Sequence, residues 1–142
     1  DLVHLKEIIG RHTNAAIFTA RYQPRDLMDI AAGKTLPLAA VRGSKVYSFS
    51  GIARPGALDT LLVSLGAVVA GTAHFPDHHP FTDEDLSRVF REASESDASW
   101  MVTTEKDGVR LRGRVPEGIW MLRIDMDVIE KKSWEEILAG RP

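Results

Sequence analysis

Leu58, Leu61, Leu62 and Leu65 recur at the i, i+3, i+4, i+7 spacing of one helical face, and Gly66 follows them as a stop, so the pattern predicts a helix from Pro55 to Leu65. A second stripe, Leu86, Val89, Phe90 and Ala93, predicts a helix from Thr82 to Ala93. Thr82 and Asp85 there form a capping box with Asp in place of Glu, and Phe81 is placed to staple onto Leu86. Leu2, Leu5 and Ile9 suit a short helix from Asp1 to Ile9, ended by Gly10. Pro24 at the start and Gly33 at the end mark another from Pro24 to Ala32. Short helices are also expected over Glu105–Leu111 and from Ser133, as cap, through Leu138. Between the helices lie β-prone runs: Ala15–Thr19, Lys45–Ser50, Ala67–Thr72, Trp100–Thr104 and Ile119–Ile124. The later runs are continuously apolar rather than alternating, as strands covered on both faces are. The expected fold is therefore α/β, a small, mainly parallel sheet flanked by helices.

Composition narrows the function classes. The 142 residues fit one domain, with 44% hydrophobic and 27% charged content, and neither repeats nor low-complexity tracts. The absence of cysteine excludes a disulfide framework, a thiolate zinc site and a cysteine nucleophile. Eighteen basic residues against twenty acidic ones, a net charge of −2, leave no basic footprint for nucleic acid. The longest apolar run, Ala67–Ala70 with Leu65 just before it, is far short of the roughly 20 residues of a membrane span. The chain opens with Asp1 inside a helical pattern, as an excised piece of a longer protein would.

Three expected strand-to-helix junctions carry unusual residues: Ser50-Gly51-Ile52-Ala53-Arg54-Pro55, Phe75-Pro76-Asp77-His78-His79-Pro80 and Thr103-Thr104-Glu105-Lys106-Asp107. In open α/β sheets ligands sit beyond the carboxyl ends of strands, where such junctions lie. Asp77 beside His78 suits an imidazole whose tautomer is set by a carboxylate and whose other nitrogen handles a proton. The same residues equally fit a polar loop that only satisfies backbone groups. His74, Asp77, His78 and His79 also have the composition of a metal site, but Pro76 breaks the helix that would bring His74 and His78 to one face. Thr104 and Asp107 read as a helix cap. Lys106 does not, because a cation in a first helical turn opposes the dipole, and a phosphate at that N-terminus would explain it. Gly51 permits close approach of a ligand or of another chain segment, or simply a tight turn. Gly33-Lys34-Thr35 mimics the end of a phosphate loop, yet the first glycine of that motif would be Met28; it reads as a helix terminator. Trp100, Trp120 and Trp134 read as core or rim aromatics.

In this order and spacing, the stretches Tyr47–Pro55, Leu65-Gly66-Ala67, Phe75–Thr82 and Val102–Leu111 resemble the C-terminal domain of the tetraacyldisaccharide 4'-kinase (lipid A 4'-kinase) family, and the resemblance extends more loosely from about Arg21 to the C-terminus. It implies transfer of the ATP γ-phosphate, with Mg²⁺, to the 4'-hydroxyl of a tetraacyldisaccharide 1-phosphate, at the cytoplasmic face of the inner membrane of Gram-negative bacteria. It implies as partners an N-terminal P-loop domain of the same protein and the lipid A disaccharide precursor, with membrane contact made by the full-length enzyme. It divides the single α/β domain of residues 1–142 into a hinge or linker segment, about 1–22, and the C-terminal domain, 23–142. His78 matches the family's histidine that assists an aspartate base on the N-terminal domain, with Asp77 beside it. Gly51, Arg54, His79, Lys106 and Asp107 become candidates for facing substrate or phosphate, with no metal ligand among them. The phosphate loop, the metal-binding carboxylates and the partner aspartate are missing here. The chain by itself is therefore expected to be soluble, to lack kinase activity and to bind ATP and Mg²⁺ poorly. Competing readings are a freestanding α/β interaction or regulatory domain and a His-centred metallohydrolase.

Overall fold

The computed structural model describes residues 1–140; the last two residues, which the resemblance includes, lie outside the described residues. Strands β1 (Ala20–Asp29), β2 (Thr35–Leu36), β3 (Lys45–Ser50), β4 (Val68–His74), β5 (Trp100–Thr104) and β6 (Ile119–Val128) form one sheet in the order β2-β1-β6-β5-β3-β4. The β6–β5, β5–β3 and β3–β4 pairs are parallel and β1–β2 is antiparallel. The helices are α1 (Leu2–Gly10), α2 (Gly56–Ser64), α3 (Asp83–Glu95), α4 (Glu105–Leu111) and α5 (Lys131–Ala139). The fold is thus α/β with a mostly parallel sheet, as the apolar runs predict.

Those runs are apolar because neighbouring residues serve opposite faces. Along β3, Val46 joins one core cluster while Tyr47 and Phe49 join the other; along β6, Ile119 and Met121 alternate with Trp120 and Leu122 in the same way. Leu58 and Leu62 of α2 cover the Val46–Val102–Leu122 face. Leu86, Val89 and Ala93 of α3, with Leu111 of α4, cover the other. Each fully buried Leu, Val or Phe contributes roughly 1.5–3 kcal/mol. Two-sided cover erases the alternation that a half-exposed strand would show.

Four expectations need correction. Pro24–Ala32 is not a helix but the second half of β1 and the turn after it. Leu27 and Met28 are adjacent because they enter opposite core clusters, a strand's period rather than a helix's. Gly33 and its neighbours Lys34 and Thr35 belong to the β1–β2 hairpin, where Asp29 Oδ1 accepts from Ala31 N and Ala32 N, and Gly33 takes φ +69°. A glycine in the left-handed region ends helices and closes hairpins alike. Ala15–Thr19 holds no strand, since β1 begins at Ala20. The strand expected over Ala67–Thr72 runs from Val68 to His74 at the edge of the sheet and is largely uncovered, with Val68 54% exposed. The last helix starts at Lys131 with Glu130, not Ser133, at its N-cap.

The chain divides into two compact units, Pro24–Ile124, and Asp1–Gln23 together with the segment from Asp125 onward. The expected hinge segment, about 1–22, thus belongs with the C-terminal segment rather than standing alone. In that smaller unit the Asp1 side chain caps α1, Phe18 meets Trp134 edge-on at 5.2 Å, and Lys6 pairs with Glu130. Lys6, and then the Thr19 N–H, hold the Glu130 carboxyl at about 2. All the candidate site residues lie in the larger unit.

Candidate active site

Strand β3 leaves the sheet through α2 on one face, and its neighbour β5 leaves through α4 on the other. Adjacent strands whose following helices diverge leave a crevice at their carboxyl ends. Here Asp107 fills it. Asp107 has no exposed surface; its Oδ2 accepts from Gly51 N at 3.0 Å and from Thr104 Oγ1 at 2.7 Å, while Thr104 Oγ1 accepts from Asp107 N at 3.2 Å. The cap expected from the Thr104–Asp107 spacing is therefore formed by the threonine, and the aspartate is turned to the next strand's loop.

Gly51 is where the loops converge. Its carbonyl accepts from His78 N at 3.2 Å, and a Cβ added to it would lie 3.1 Å from Pro76 O and 3.3 Å from His79 Cβ. Glycine is needed here for close approach of another segment of the chain, one of the readings its position allows. Beyond it the Phe75–Pro80 loop is anchored by His79. That ring stacks on Phe75 at 4.8 Å, lies edge-on to Phe81 at 5.5 Å, and bonds through Nε2 to Asp85 Oδ2 at 2.7 Å. Asp85 also accepts from Thr82 N, completing the capping box of α3. The His79 hydrogen bond, followed by that from Thr82 N, holds the Asp85 carboxyl at about 2. Two residues of this loop, His78 (φ +61°) and Phe81 (φ +41°), sit in the left-handed region that side chains disfavour. Strain of this kind persists only where the surroundings fix it. Buried Phe81 and the bonded His79 do so here.

What the anchored loop presents is His78, with its side chain 66% exposed. Arg110 Nη2 lies 2.9 Å from His78 Nδ1. On the other side of the ring, Asp77 Oδ2 is 3.6 Å and Lys106 Nζ 3.5 Å from Nε2. Asp77 is thus not the close ring partner that its sequence position suggests. Its Oδ1 accepts from Lys106 Nζ at 2.8 Å and from His78 N at 3.0 Å, so it steadies the loop and the lysine. Lys106, above all, lowers the Asp77 carboxyl below its ordinary range. The cation in the first turn of α4 is accounted for by this pair.

Arg54 is exposed in the loop before α2, and lines an open groove with Pro55, Gly56, Thr60 and Leu61. The histidines of the suspected metal set diverge. His74 Nε2 bonds to Asp59 Oδ2 at 2.9 Å, His79 turns to Asp85, and His78 meets Arg110. Among the described residues no three His, Cys, Asp or Glu side chains are grouped to hold a metal ion.

Two groupings escaped the sequence reading. Arg110 was legible in principle, because it stands one turn after Lys106 and residues four apart share a helix face. The network of Ser48, Asp59, Thr72 and His74, in which Asp59 is the shared acceptor, was not. It depends on the pairing of β3 with β4 and on α2 lying over them.

Comparison with known proteins follows the same lines. A tetraacyldisaccharide 4'-kinase of Anaeromyxobacter sp. (strain Fw109-5) is 42% identical over 128 residues, 88% of this chain and 34% of the relative. That of Anaeromyxobacter dehalogenans (strain 2CP-C) is 46% identical over 107 residues, 75% of this chain and 28% of the relative. A solved structure of LpxK from Aquifex aeolicus in complex with ATP superposes with a TM-score of 0.62 at 22% identity, over 89% of this chain and 36% of that one, which shows the shared fold. The chain spans about a third of the length of the curated relatives it matches, and corresponds to their C-terminal part. The model of the tetraacyldisaccharide-1-P 4'-kinase family matches residues 3–141, and the chain belongs to that family.

Proposed function

We propose that this chain is the C-terminal part of a kinase that moves the γ-phosphate of ATP to the 4'-hydroxyl of a tetraacyldisaccharide 1-phosphate, and that His78 is its contribution to proton handling. The observation that carries this is an exposed imidazole on a strained, anchored loop at the carboxyl ends of parallel strands. In phosphoryl transfer the attacking hydroxyl gives up a proton as its oxygen bonds phosphorus, and most of the remaining catalysis is positioning and charge stabilisation. A ring offered from one domain joins a carboxylate base on another only when the two close, which also excludes water. Among the described residues no group of metal ligands is found, and Gly33-Lys34-Thr35 lies in a hairpin. Because the chain spans about a third of its kinase relatives, one solved relative of which holds ATP, nucleotide and ion are assigned to the rest of the protein, which supplies the phosphate and the charge neutralisation. Among the described residues no helix is long and apolar enough to cross a membrane.

The test is His78→Ala in the full-length kinase that carries this chain. We expect kcat to fall about 100-fold or more, in the range of a lost proton-handling group, with the Kd for ATP unchanged. Equal losses in turnover and ATP affinity would reject the assignment.

A further inference from the structure

We infer that Arg110 is a positioning residue for His78, holding the imidazole in the form that carries its proton on Nε2. This rests on the proton-handling reading of His78. A guanidinium offers only donors and keeps its charge at any relevant pH. With Arg110 Nη2 at 2.9 Å, Nδ1 has to be the acceptor, so the neutral ring carries hydrogen on Nε2. The opposite tautomer would set an N–H against the nearer cation, Arg110 at 2.9 Å rather than Lys106 at 3.5 Å.

The second side of the ring is looser. Lys106 Nζ is drawn to Asp77 Oδ1 at 2.8 Å and stays 3.5 Å from Nε2, while Asp77 Oδ2 stands 3.6 Å from the same nitrogen. An Nε2–H on that side meets no close acceptor: Asp77 Oδ2 stands at 3.6 Å, and Asp77 Oδ1 is taken by Lys106. Such a donor is available to a nearer acceptor, and a carboxylate base from the other domain has that chemistry. Lys106 and Arg110, one turn apart on α4, act as a fork around the ring. Asp77, which the sequence places next to His78, serves the lysine, while Arg110 serves the ring.

Surface hydrogen bonds of this sort contribute little to stability, so the effect belongs to geometry and is read spectroscopically. In the 142-residue chain with ¹⁵N-labelled histidine, at a pH where His78 is neutral, Nε2 should show the signature of a protonated ring nitrogen and Nδ1 that of a lone-pair acceptor. In Arg110→Met, which keeps the apolar stem, the two ring-nitrogen signals should move toward each other as the tautomers mix; Arg110→Lys should restore part of the separation. A wild-type ring protonated on Nδ1, or a signature unchanged by Arg110→Met, overturns the proposal. In the full-length kinase Arg110→Met should lower kcat about 10- to 100-fold, the scale of a small misplacement, with KM for ATP unchanged. A changed ring signature with unchanged kcat would overturn the positioning role. His78→Ala decides separately whether the imidazole matters at all.

Discussion

Gly51 and His78 show two opposite uses of backbone within one loop cluster. Gly51 is hemmed in by Pro76 O and His79 Cβ, so Gly51→Ala should displace the loop and cost about 1–3 kcal/mol, as overpacking does. Urea unfolding measures this, and a change under 0.5 kcal/mol would mean the loops move apart freely. His78 is the reverse case, an exposed side chain on left-handed backbone. His78→Gly should leave stability unchanged or raise it by up to about 1 kcal/mol, because glycine adopts that φ without penalty. A clear loss of stability would mean the ring is a packing element after all. Of the two adjacent histidines, His78 is the exposed one raised on an anchored loop, while His79, like Asp107, holds the frame. Chain position did not separate them: His78 and His79 are neighbours with the same side chain, and only the packing of Phe75 and Asp85 decides which is bound.

At the scale of elements, α3 is the anchor for the loop. Its N-terminus was readable from Thr82, Asp85 and Phe81, because capping is a local interaction. Thr82→Ala should cost about 1 kcal/mol, measured by thermal or urea unfolding. Asp85 adds a pH dependence. Its carboxyl lies at about 2 in the folded chain against an ordinary 3.8, so folding is favoured while it is ionised. That stability is complete above about pH 4 and is lost as pH falls toward 2. In Asp85→Asn the acid limb of unfolding, followed by circular dichroism, should be shallower over this window; an identical limb would show that Asp85 does not govern it. Where elements failed to be read, the signals were ambiguous locally. Pro24 and Gly33 bracket a helix or a strand with its hairpin equally well, and the choice was made by β1 joining the sheet with Leu27 and Met28 on opposite faces.

For the whole molecule, the α/β layout brings the carboxyl ends of β3, β4 and β5 side by side, and with them the loops that carry Gly51, His78 and Lys106. The site so formed contains a ring and its cationic fork. With nucleotide binding proposed to lie in the rest of the protein, the chain alone, given ATP, Mg²⁺ and the disaccharide lipid, should give no phosphorylated lipid in a single-turnover assay; addition of the remaining part of the kinase should restore transfer. Robust transfer by the chain alone would overturn the proposed division of labour.

Helix caps, apolar stripes and continuously apolar strands are local or periodic, and they suffice for the fold class, the strong helices and the three junctions. Family resemblance rests on short motifs in order and is equally a property of the chain. Which carboxylate is buried and which cation meets His78 were decided only when β3, β5 and α4 packed together. Those contacts join residues about 30 to 60 positions apart, and their energies depend on burial and orientation rather than on residue type.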